Sequence, residues 1–124
     1  MVLRTARHTS DLSAVTVFYR DLLGLDIIGE FKGHDGYNGV FLGKQGLGWH
    51  LEFTQSSEAP DHKPDEDDLL VFYTSSLEEY DLINTRFKQN GVEAVEPRNP
   101  YWERNSKTYV DPDGFRVVVS IPRN

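Results

Sequence analysis

Cysteine is absent from the 124 residues. Disulfides, thiolate nucleophiles and Cys-ligated zinc are therefore excluded. Basic residues are scarce: 13 Lys and Arg stand against 20 Asp and Glu, a formal charge of -7. Phosphate backbones are bound by clustered cations, so nucleic acid is not an expected partner. Long apolar runs are missing too. Nothing approaches the ~20 residues that span a bilayer. The N-terminal stretch, broken by Arg4, Arg7 and His8, does not read as a signal peptide. The expectation is a cytoplasmic protein without a membrane partner. Its acidity reads as solubility, or as an acidic cup for a cationic ligand. Hydrophobic residues, 38% with 12% aromatic, suffice for a core. A chain this short leaves much of its surface wet, so a homodimer would add burial.

Two segments read alike. Ser10-Asp11-Leu12 opens a helix pattern that ends at Gly24, followed by Leu25-Asp26-Ile27-Ile28. Ser75-Ser76-Leu77 opens another that ends at Gly91, followed by Val92-Glu93-Ala94-Val95. The offset of roughly 65 residues is about half the chain and points to a duplicated unit. Leu12, Val15, Phe18, Tyr19, Leu22 and Leu23 form one helical stripe; Leu77, Tyr80, Ile83 and Phe87 form the other. Asp11 or Ser10 caps the first, and Ser76 with Glu79 forms a capping box on the second.

Strands are expected over 3–9, 26–31, 39–42, 49–54, 69–74, 92–95, 107–110 and 115–121. Turn signals at His34-Asp35-Gly36, Gly46-Leu47-Gly48 and Asp111-Pro112-Asp113-Gly114 separate them. The fold class is thus α+β: two βαβββ modules making a curved mixed sheet with helices on the outer face. Module one covers about 1–56, a polar linker about 56–68 and module two about 69–124, together one domain over 1–124. In 49–54, Trp49, Leu51 and Phe53 alternate with His50, Glu52 and Thr54, so one face is apolar and the other semi-polar. In the last strand Val117 and Val119 alternate with Arg116, Val118 and Ser120.

Phe18-Tyr19-Arg20-Asp21-Leu22-Leu23-Gly24-Leu25 and Asp111-Pro112-Asp113-Gly114-Phe115 resemble the first helix and last hairpin of vicinal-oxygen-chelate proteins: glyoxalases, bleomycin-resistance proteins and extradiol dioxygenases. The resemblance covers nearly the whole chain. Ala6–Thr9 and Asn99–Trp102 are also similar to a small branch for which no function is implied. In metal-dependent relatives four residues hold a divalent ion. The resemblance maps these onto Arg4, Glu52, Leu69 and Val118, of which only Glu52 is a usable ligand. It therefore implies no metal and no cofactor, and it predicts that Arg4 pairs with Glu52 through its planar fork. It also sets His8 four residues above that pair and His50 two below, about 20 Å apart at ~3.3 Å per residue.

Three functions stay open. The first is a homodimeric cup holding an unknown organic small molecule, lined by Arg4, His8, His50, Glu52, Tyr73, Tyr101, Trp102, Arg116 and Ser120. The second is a glyoxalase-like lyase, isomerase or dioxygenase, with His50 and Glu52 the candidate catalytic groups or Glu52 an unusual metal site. The third is a dimer interface occupying that face without a ligand. Tyr101-Trp102 reads equally as a ligand contact or as a cover for the core. His34-Asp35-Gly36-Tyr37 reads as a turn or as a ligand contact.

Overall fold

The computed structural model describes residues 1–124, in two compact units, Met1–His62 and Lys63–Asn124. No helix is long and apolar enough to cross a membrane.

The first unit runs β1 (Leu3–His8), α1 (Leu12–Thr16), β2 (Asp26–His34), β3 (Tyr37–Gly43) and β4 (Trp49–Gln55). Its sheet has the order β1-β4-β3-β2, with β1 parallel to β4 and the other pairs antiparallel. Asp11 caps α1, its Oδ1 accepting from the Ala14 N–H at 3.0 Å. Beyond Thr16 the helix widens into π-helical turns over Val17–Leu22. The adjacent aromatics Phe18 and Tyr19 both lie in the core, at 4% and 0% exposure. Gly24, at φ 98°, ends the helix, and the Leu25 N–H closes onto the Tyr19 carbonyl. Tyr19 packs on Phe53, ring centroids 4.9 Å apart. The β2–β3 hairpin turns on Asp35 and Gly36, both at positive φ, as a tight hairpin turn requires.

The second unit runs β5 (Leu69–Tyr73), α2 (Leu77–Gln89), β6 (Ser106–Val110) and β7 (Arg116–Ser120), with sheet order β5-β7-β6. Ser76 Oγ accepts from the Glu79 N–H at 3.0 Å, and Glu79 reaches back to the Ser75 N–H at 2.8 Å. Phe87 stacks on Tyr109 with centroids 3.9 Å apart. The Tyr109 hydroxyl donates to Asn84 Oδ1 at 2.7 Å. Burial first, then Tyr80, pushes the Tyr109 phenol up to about 12.

One element differs from expectation. Residues 92–95 do not form a strand; Val95 alone makes a bridge, its N–H bonded to the Thr108 carbonyl at 2.8 Å. Pro97 has no N–H to extend the ladder past Val95, and the Val92 N–H on the other side is spent on the Phe87 carbonyl at 2.9 Å. The second unit is therefore βαββ with one bridge, not βαβββ. The duplication survives in register. Arg4 lies opposite His50 in the first unit as Leu69 lies opposite Arg116 in the second. The Thr9 N–H bonds the Thr54 carbonyl as the Thr74 N–H bonds the Ser120 carbonyl.

Candidate functional site

Strand alternation builds the semi-polar face of the first unit. Leu51 and Phe53 are buried at 4% and 2% exposure, so His50, Glu52 and Thr54 point the other way. Arg4 joins them from β1. Its Nε donates to His50 Nε2 at 2.9 Å, which places the ring hydrogen on Nδ1. Its guanidinium carbon lies 4.6 Å from the centre of the Phe41 ring. Its Nη1 stops 4.0 Å from Glu52 Oε1. Arg4 and Glu52 thus face each other as an ion pair at its outer limit, without the two hydrogen bonds of the expected fork. Register explains this: Arg4 sits opposite His50, while Glu52 is opposite Ala6. The Arg4 side chain is 52% exposed and that of Glu52 15%.

Phe31 and Phe41, which the sequence reading did not single out, floor this face. Gly29 pairs with Phe41 and Gly39 with Phe31 across the β2–β3 ladder. A Cβ on Gly29 would fall 2.9 Å from the Phe41 ring, and one on Gly39 only 2.3 Å from the Phe31 ring. Each ring therefore covers the glycine opposite it, the usual compensation for glycine in a sheet. The signal was a Gly-x-Phe on each arm of one hairpin.

His8 belongs to a different group. It lies opposite Thr54, with Nε2 2.8 Å from the Glu58 carbonyl and Nδ1 3.4 Å from Thr54 Oγ1. Its ring ties the end of β1 to residues 56–58. His50 stands level with Arg4 rather than two residues below it. The two histidines are four residues apart along the ladder, about 13 Å at ~3.3 Å per residue, instead of 20 Å.

In the second unit, Tyr73 and Ser120 are cross-strand partners on β5 and β7. Ser120 is 6% exposed, and its hydroxyl donates to the Ile121 carbonyl at 3.1 Å. Arg116 is committed: it donates to the Glu96 carbonyl at 3.0 Å and lies 3.6 Å from Glu66. Tyr101 and Trp102 sit on a 3-10 turn, Pro100–Glu103, capped by Asn99. Tyr101 is 72% exposed and does not cover the core; Trp102 is half-buried.

The four positions that match the metal ligands of related enzymes offer a poor donor set. Leu69 and Val118 are hydrocarbon, Arg4 is a cation, and Glu52 alone has a ligating oxygen. No group of three or more His, Cys, Asp or Glu gathers to hold an ion. These residues do not fit a chelated divalent metal.

Comparisons with known proteins agree with this architecture. Sequence models of the YycE-like N-terminal and C-terminal domains match residues 3–54 and 67–120. The chain is 44% identical over 119 residues to the uncharacterised protein YycE of Bacillus subtilis, spanning 94% of this chain and 84% of that one. A crystal structure of a Bacillus subtilis YycE protein of unknown function aligns with TM-score 0.88 and 40% identity, over 99% of this chain and 90% of that chain. Leishmania major glyoxalase I shares the fold at TM-score 0.74 and 21% identity, over 98% of this chain and 86% of that chain. The chain belongs to the YycE-like family, and it has the fold of glyoxalase and bleomycin-resistance proteins.

Proposed function

We propose that this chain binds an organic small molecule without a metal, in the cytoplasm, on a sheet face closed by a second copy. The observation that carries the reading is Arg4. It occupies the first ligand position of metal-dependent relatives, steadied by His50 and Phe41. A guanidinium supplies permanent charge and several N–H donors, so it can receive a ligand oxygen where relatives use a cation. Arg4, His50 and Glu52 are the ligand contacts on the first unit; on the second, taken by itself, Tyr73, Tyr101 and Trp102 are the side chains open to a ligand. His8, Arg116 and Ser120 spend their polar groups on the protein itself.

A thermal-shift screen of small organic acids, run with excess chelator, tests this reading. Hits that persist in chelator and vanish in Arg4→Met support it; hits that require added metal contradict it. Sedimentation giving about twice the monomer mass is expected for the two-fold assembly, and a monomer would count against closure by a second copy.

A second reading, a lyase, isomerase or dioxygenase using Glu52 with His50, is favoured by one feature. The Glu52 carboxylate faces Arg4 at 4.0 Å without a hydrogen bond from it, which leaves an oxygen to accept a substrate proton. Turnover of a hemithioacetal that is lost in Glu52→Gln would establish it.

A further inference from the structure

We infer that the second unit carries a cleft built for planar organic carboxylates. The cleft, about 650 Å³, lies between the Pro100–Glu103 turn and the residues that follow β7. That volume is in the range of small-molecule sites. Tyr73, Tyr101 and Trp102 supply its rings, and Arg104 and Arg123 its charge. No Asp or Glu side chain lines it. In a chain with 20 acidic and 13 basic residues, a surface hollow with two arginines and no acidic side chain runs against composition. The hollow therefore selects anions.

The rings add shape to that charge. Tyr101 and Trp102 meet edge to face, centroids 4.8 Å apart, and so present one ring plane and one ring edge. The Arg123 guanidinium lies 5.5 Å from the centre of the Tyr73 ring, which holds it near the cleft. Tyr73 and Tyr101 are 44% and 72% exposed. Exposed rings clustered beside cations mark a contact surface. The backbone contributes as well. Asn105 adopts φ 63°, the left-handed conformation that asparagine tolerates in tight turns. Its carbonyl accepts from the Ile121 N–H at 3.0 Å, which fixes the loop carrying Arg104 against the end of β7. A flat ring stacked on Tyr101 or Trp102 would point its carboxylate at the arginines, which suit planar two-oxygen groups.

This assigns a ligand class to the second unit's own contacts proposed above, and rests on that reading. It uses none of Arg4, His50 or Glu52. Calorimetric titration of the full chain with 2-naphthoate and with 2-naphthamide tests it. Naphthoate should bind about tenfold more tightly than the amide. Arg104→Gln combined with Arg123→Gln should erase that preference, and Tyr101→Ala should weaken both ligands. Lys63→Gln combined with Lys88→Gln, an equal charge change at exposed positions outside the cleft, should leave the preference intact. Equal affinities, no binding of naphthoate at millimolar concentration, or a preference that survives the double arginine change would each overturn the inference. The two readings fail separately. A stoichiometric metal would end the metal-free reading whatever naphthoate does, and equal affinity of acid and amide would end this one whatever the metal content.

Discussion

Replacing Arg4 with methionine keeps a hydrocarbon stem over Phe41 and removes three contacts at once. The hydrogen bond to His50, at 2.9 Å but half in water, contributes about 1 kcal/mol. The stacking of the guanidinium on Phe41 contributes about 0.5–1 kcal/mol. The charge contact with Glu52, 4.0 Å away with one partner half exposed, contributes well under about 1 kcal/mol. The three share one side chain and do not add, so Arg4→Met should cost about 1–2 kcal/mol. For a domain of this size that lowers Tm by roughly 3–10 °C. Urea unfolding of double-mutant cycles separates the contacts: Arg4→Met is paired in turn with His50→Leu, Phe41→Leu and Glu52→Gln. The expected order places the His50 and Phe41 couplings above the Glu52 coupling. A Glu52 coupling larger than both would refute this geometry and restore the hydrogen-bonded fork.

Gly39→Ala should destabilise by about 1–3 kcal/mol, because its Cβ would displace the Phe31 ring. In a Phe31→Ala background the cost should largely vanish, as measured by urea unfolding. The Tyr109 phenol is pushed up to about 12 from an ordinary 10.0. Its contribution to stability is then complete below pH 10 and lost as pH rises from about 10 to about 12. Tyr109→Phe should flatten that alkaline loss, which chemical unfolding on either side of pH 10 would reveal; an unchanged slope would contradict it. Asp111 Oδ1 accepts from the Asp113 and Phe115 N–H groups at 2.9 and 3.0 Å, in a residue 4% exposed. Asp111→Ala should cost about 1–3 kcal/mol by stranding those donors, and Asp111→Asn less, as thermal unfolding would report.

Local chemistry was legible in the sequence where it is decided locally. The caps at Asp11 and Ser76, the stops at Gly24 and Gly91, and the inward Leu51 and Phe53 of β4 all lie where pattern and turn chemistry put them. Register was not legible, because a parallel pair is set by tertiary packing rather than by either strand alone. That is why Arg4 was expected at Glu52 and is found at His50. Bulges between Ile27 and Gly29, and between Phe31 and His34, blur the alternation of β2 and hid the ring that covers Gly39. The role of His8 depends on Glu58, fifty residues away in a stretch read only as linker. The loss of a strand at 92–95 turned on two partners outside the run that suggested it: Phe87, whose carbonyl takes the Val92 N–H, and Pro97, which has no N–H.

The central claim is that a cation of the protein's own stands at the position where relatives hold a metal ligand. Elemental analysis of the purified chain, after equilibrium dialysis against zinc, manganese and iron(II), tests it most directly. The account predicts well under one ion per chain for every metal, and the same Tm with and without chelator. One tightly held ion per chain, whose removal lowers Tm and whose binding is lost in Glu52→Gln, would contradict it.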